Sequence, residues 1–183
     1  MSPAATARTT DATSSEIRRL STLLEASMVL SGTLDLKAAL HRVLEVLNKH
    51  HGAVRGLIVL LDEDTHDLRV EAADGLAKSD LKVRYSVGEG ITGRVVQTGR
   101  AILVPRVSKE PLFLNRAAQR TDLARQELSY ICVPIAVNKK AVGAIGVDLK
   151  FKADRDYDRY VKFLGVVAAM VGQSVKLQQM IEA

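Results

Sequence analysis

His41, His50 and His51 fall on or just after one helical stretch, and three imidazoles so near one another raise metal binding or acid–base chemistry. Their spacing argues against both. His50 and His51 are adjacent and so do not share a helical face, and no carboxylate at metal-ligand spacing accompanies them. His66, beside Thr65 and Asp67, belongs to a turn, so all four histidines read as structural or solvated. Cys132 is the single cysteine, which excludes an internal disulfide and a four-cysteine zinc site. It alternates with Ile131 and Val133, as a small buried apolar residue would, rather than standing as a nucleophile or an iron ligand. No nucleophile, base and orienting group recur together, so the chain does not read as an enzyme and no cofactor is expected.

The arginines raise binding instead, although most of them read as a solvated loop surface, with Arg106 and Arg116 as the exceptions. Arg100, Arg106, Arg116, Arg120 and Arg125 outnumber the acids around them, and guanidinium groups grip carboxylates in two-pronged fashion. They border the stretch that organises the chain, Tyr85 to Pro105, YSVGEGITGRVVQTGRAILVP. Val83, Tyr85 and Val87 alternate with Lys82, Arg84 and Ser86, the period of a strand with one face turned inward. Gly88 and Gly90 flank Glu89 and let the chain turn into a short helix, Ile91 to Thr98, which Gly99 closes. Ile91 and Val95 fall on one side of that helix while Thr92 and Arg94 point elsewhere, and free amides at its start attract an anion. The stretch reads as the rim of a ligand cleft, or else as a tight connection whose glycines serve only the turn.

The elements that must position this rim follow from periodicity. Residues 1–12 are small and polar and are expected to form a disordered, mobile tail. Thr13-Ser14-Ser15-Glu16 fits a capping box for a first helix, in which Ile17, Leu20, Leu24 and Met28 recur up to about Ser31. Thr33 or Asp35 caps a second helix with Leu36, Leu40, Val43, Leu44 and Leu47 on one stripe, ending at Gly52. Leu57 to Leu61 is a continuous apolar run, the mark of a central strand; Leu68, Val70 and Ala72 alternate in a strand nearer an edge. Ile102 to Val104 is a short strand. The long polar segment from Val107 to Gln126 is expected to be a lid. Ser129 to Ile135 and Ala141 to Leu149 form a hairpin across Asn138-Lys139-Lys140, with Tyr130 and Cys132 on one face.

Asp154 is placed to cap the last helix, whose Val161, Leu164, Ala168, Val171 and Val175 form a seam. Continued to Ile181 this helix is roughly 40 Å long, so its first half is expected on the sheet and Val171 onward against a partner helix, with the first helix as companion in a dimeric bundle. The fold class is α+β: residues 13–183 form one domain with a central antiparallel sheet of about six strands, terminal helices on one face, and cleft and lid on the other.

As a run, GEGITGRVVQTGR (88–100), VP (104–105), EPLFLNR (110–116) and SYICVPI (129–135) resemble the GAF domain. Within that family they look most like the amino-terminal regulatory domain of NifA-type activators, sigma-54-dependent transcription factors of nitrogen fixation. The resemblance covers about Ile17 to Ala183 and implies the same PAS-like sheet, a regulatory role without catalysis, a homodimer, and 2-oxoglutarate as the favoured ligand. Arg106 and Arg116 lie inside the matching runs. Candidate ligand contacts are Tyr85, Thr92, Arg94, Arg106, Asn115, Arg116, Tyr130 and Cys132, and the seam on the last helix is the candidate signalling element. Full-length members continue into an AAA+ ATPase domain and a helix-turn-helix domain, and some answer to an inhibitory regulator protein. No phosphate-binding glycine-lysine motif occurs here, so the chain is expected to be a regulatory piece ending near the linker to that ATPase. Other ligands stay open, namely a cyclic nucleotide, formate, or nitric oxide through bound iron, as does a ligand-free dimerisation and interaction module. Asn138-Lys139 lacks the rest of the nucleotide-binding motif.

Composition narrows the partners. A hydrophobic share of 47% over 183 residues suits one domain with a real core. The net charge of +5 is dispersed over many elements and there is no tryptophan to stack bases, so direct nucleic-acid binding is not expected. No apolar run is long enough to cross a bilayer and the first residues lack a secretory core, which places the expected site of action in the cytoplasm.

Overall fold

The computed structural model describes residues 3–111 and 126–183. Helix α1 (Pro3–Ser31) begins well before the Thr13 capping box. The hydroxyls of Thr9, Thr10 and Thr13 donate to carbonyls one turn back, within the helix, so Thr13 caps nothing and residues 3–12, expected to belong to a tail, form the first turns. Asp35 caps α2 (Leu36–His51) by accepting from the Ala38 amide at 3.0 Å, and Gly52 closes it in the left-handed region.

Six strands follow: β1 (Arg55–Leu61), β2 (Asp67–Asp74), β3 (Arg84–Ser86), β4 (Ile102–Val104), β5 (Leu128–Val137) and β6 (Lys140–Lys150), with α3 (Gly90–Thr98) between β3 and β4. They form one sheet in the order β3-β2-β1-β6-β5-β4, every neighbouring pair antiparallel. The apolar run of β1 is central, as its lack of alternation requires, and β2 stands one strand from the edge, flanked by the three-residue β3. Asn138 and Lys139, both at positive φ (51° and 66°), make the two-residue turn of the β5–β6 hairpin.

The sheet carries a core on each face. Ile131, Val133 and Ile135 of β5 and Ile145, Val147 and Leu149 of β6 meet α2 and the last helix, α4 (Tyr157–Glu182). Tyr130, Cys132 and Ala144 point the other way, to Ile91 and Val95 of α3. Helix α1 lies over α2 and α4 and buries Thr22 and Ala26. Its predicted apolar stripe is on the opposite side: Ile17, Leu20, Leu24 and Met28 are 59–65% exposed. Thr22 and Ala26 let α1 sit close to its neighbours, Leu23, Val29 and Leu30 pack half-buried beside them, and the predicted stripe is left outward.

Asp156, not Asp154, caps α4, accepting from the Arg159 amide at 3.1 Å. Leu164, Ala168, Val171 and Val175 are buried and Val161 half-buried in the core on the helix side of the sheet. The seam therefore does not leave the domain at Val171; the outward residues of α4 are Val166, Leu177, Met180 and Ile181. By length and composition alone α4 is long and apolar enough to cross a membrane, but Leu164, Val167, Ala168 and Val171 of it are buried in the chain's own core.

Candidate functional site

Pairing of β5 with β6 sets Tyr130 opposite Asp148 and Cys132 opposite Gly146, all on the face beneath α3. The Tyr130 phenol lies across Gly146, where any Cβ would collide with its hydroxyl. From α3, Thr92 brings its Oγ1 to 3.4 Å from the Tyr130 hydroxyl. Thr92, Tyr130 and Cys132 are 7%, 3% and 0% exposed, and Tyr85 of β3 is buried in the same core. Burial pushes the Cys132 thiol up to about 12, and hydrogen bonds to Tyr130 and Thr92 only partly offset this. Cys132 is therefore a protonated thiol in an apolar layer, not a nucleophile.

Beside this trio sits a buried carboxylate. Asp148 has a fully buried side chain, with Arg55 Nη1 of β1 at 3.8 Å, beyond hydrogen-bonding distance. Arg55, Leu57, Leu76, Tyr130, Gly146 and Asp148 line a crevice that, among the described residues, leaves no room for a water-sized molecule.

The structure thus gathers Tyr85, Thr92, Tyr130 and Cys132 beneath α3 and leaves two predicted contacts outside. Arg94 is exposed on α3, and Arg106 is exposed with its guanidinium 4.8 Å above the Phe151 ring. Asn115 and Arg116, with most of the expected lid, lie outside the described residues. At the start of α3, Glu89 turns its carboxylate back to accept from the Ser86 amide at 2.9 Å. Sequence reasoning missed Arg55 and Asp148. A signal existed: Asp148 is the lone acid within the apolar AVGAIGVDL run, two positions from a glycine on the same face.

The histidines separate as their spacing implied. His50 Nε2 is 2.6 Å from Glu25, His41 Nε2 is 3.6 Å from Glu45, and His66 adopts a positive φ of 60° in its turn. Among the described residues, no three His, Cys, Asp or Glu side chains gather as metal ligands would. His51 is packed between Tyr160 and Phe163, with ring centroids 5.7 and 4.6 Å away.

A six-stranded antiparallel sheet with terminal helices on one face and a short helix over a narrow apolar cleft on the other is the architecture of sensor-type α+β domains. The chain belongs to the GAF domain family, whose model matches residues 33–176. It is 37% identical over 167 residues to the Nif-specific regulatory protein of Azospirillum lipoferum, covering 89% of this chain and 26% of that protein. It is 34% identical over 157 residues to the nitrogen fixation protein VnfA of Azotobacter vinelandii, covering 85% of this chain and 30% of the relative. The chain thus spans less than a third of the length of these regulators. The crystal structure of the A. aeolicus nlh2 GAF domain in an inactive state superposes with a TM-score of 0.78 at 25% identity, covering 90% of this chain and 99% of that one. Free methionine-R-sulfoxide reductase of Neisseria meningitidis, in complex with its substrate, shares the fold alone: TM-score 0.74 at 19% identity, covering 89% and 91% of the two chains.

Proposed function

We propose that this chain is the small-molecule-sensing regulatory domain of a NifA-type sigma-54-dependent activator, without a catalytic step of its own, acting in the cytoplasm as a homodimer. The observation that carries this reading is the GAF fold together with similarity to Nif-specific regulators along 89% of the chain. The favoured ligand is 2-oxoglutarate. The Arg55 guanidinium has no hydrogen-bond partner among the described residues and offers a fork for one carboxylate, and the Thr92 and Tyr130 hydroxyls offer donors deeper in. Entry requires the Tyr130 ring to swing off Gly146. Tyr130 is on β5, whose other face supports α4, so a shift of this strand repositions α4 and through it the restraint on an AAA+ domain beyond this chain. A coupling of about 1–3 kcal/mol suffices.

The lack of free space in the crevice beside Tyr130 favours a second reading, an interaction module that dimerises and receives an inhibitory protein without binding a small ligand. Thermal unfolding with 2-oxoglutarate, succinate, formate and cyclic nucleotides separates the two. At a hundredfold excess over Kd a one-site ligand stabilises the fold by about 2.7 kcal/mol, roughly 5–10 °C at this size. The sensor reading expects that shift with 2-oxoglutarate and not with succinate; no shift with any member transfers the assignment to the interaction module.

A further inference from the structure

On the helix-covered face, where α1, the end of α2 and the start of α4 meet, there is a cavity of about 540 Å³. That volume is within the usual range of small-molecule sites, about 300–1,000 Å³. Its walls are strongly basic: Arg18 and Arg19 come from α1, Lys152 and Arg155 from the segment between β6 and α4, and Arg159 from the first turn of α4, against Asp11 and Asp156. Arg19 is satisfied by Glu16 at 2.9 Å, and the Asp156 carboxylate caps α4. Arg18, Lys152, Arg155 and Arg159 have no carboxylate partner among the described residues.

These charges converge. His51, at the edge of the cavity, is held down at about 4 by burial first, and further by the positive charges of His50, Arg18, Arg19 and Arg155. Two buried polar atoms at the same place lack a hydrogen-bond partner among the described residues: the hydroxyl of Tyr160, a residue only 6% exposed, and Nε of Arg155. Buried donors without acceptors are costly and uncommon, so each asks for an acceptor that the described residues do not supply. Thr22 is not free to supply one, since its hydroxyl donates to the Arg18 carbonyl at 2.7 Å and meets His51 Nε2 at 2.8 Å.

We propose that this cavity is a binding site for a small, multiply charged oxyanion, a phosphorylated or polycarboxylate metabolite, held between Arg18 of α1, Arg155 just before α4, and Arg159 and the Tyr160 hydroxyl of α4. Guanidinium forks suit either oxyanion, and the amino end of α4 adds its partial positive charge. Bound there, the anion clamps α1 onto α4. The site is on the opposite side of the sheet from the cleft beneath α3 and does not depend on what that cleft binds.

The test is calorimetric titration of the whole chain with inorganic pyrophosphate and, separately, with citrate, at an ionic strength held constant with sodium chloride. The proposal expects saturable one-site binding of at least one probe. Arg18→Gln with Arg159→Gln, both exposed positions, should weaken it at least tenfold without moving the unfolding midpoint of the free protein, and Tyr160→Phe should weaken it several-fold. Tighter pyrophosphate assigns the site to phosphorylated ligands, and tighter citrate to polycarboxylates. Failure of both probes to bind, or unchanged affinity in the double arginine variant, overturns the proposal.

Discussion

Tyr130 is the residue on which the site turns, because its ring fills the space that Gly146 leaves open. The alternation of β5 made it legible in the sequence that Tyr130 and Cys132 share a face, and the structure shows that face to be the one under α3. Arg55 and Asp148 were not legible as a pair, because cross-strand neighbours are set by sheet register and not by local spacing. Arg106 is a candidate ligand contact because it lies inside a run that matches the family and a guanidinium grips carboxylates; in the fold that group lies 4.8 Å above the Phe151 ring. Two predictions belong at this scale. With its thiol near 12, Cys132 holds on the order of one part in ten thousand thiolate at pH 8, so Ellman's reagent should leave the native protein unlabelled and react only on unfolding. Rapid native labelling would contradict its buried placement. His51 is neutral in the folded chain down to about 4 but protonates near 6.5 when unfolded, so its contribution is complete above about pH 6.5 and is lost as pH falls toward 4. Discounted for the partial exposure of the ring, the loss is about 1 kcal/mol, and denaturant titrations of His51→Gln should lack that part of the acid decline.

At the scale of elements, α4 shows how tightly one helix is fitted to the sheet. Gly172 and Gly165 are both in its interior, yet a Cβ at Gly172 would strike the Ala136 carbonyl of β5 whereas one at Gly165 meets nothing within 4 Å. Gly172→Ala should therefore destabilise by about 1–3 kcal/mol, and Gly165→Ala should stabilise by about 0.5–1 kcal/mol, in chemical denaturation. Leu164→Ala, at a fully buried seam position, should cost about 2–5 kcal/mol. Equal effects of the two glycine changes would contradict the contact between α4 and β5. The order and type of the elements were readable, from the capped stripe of α2 to the apolar run of β1 and the β5–β6 hairpin. The direction a stripe faces was not. Ile17, Leu20, Leu24 and Met28 have core-like spacing, but α1 makes its contact through Thr22, Leu23, Ala26, Val29 and Leu30, and spacing alone does not say which side of a helix is covered.

For the whole molecule, the outward α1 stripe and the exposed Leu177, Met180 and Ile181 of α4 form the surface on which the proposed homodimer rests. Sedimentation should report a dimer for the native chain and a monomer for Leu20→Glu with Leu24→Glu; a native monomer at micromolar concentration would remove this part of the account. Occupation of the Tyr130 cleft is proposed to be felt by α4 across the sheet. Amide hydrogen exchange of the chain with and without saturating 2-oxoglutarate measures this coupling: protection should change in β5 around Tyr130 and, with it, along α4, and succinate should leave both unchanged. Identical exchange in both elements with and without 2-oxoglutarate would rule the coupling out.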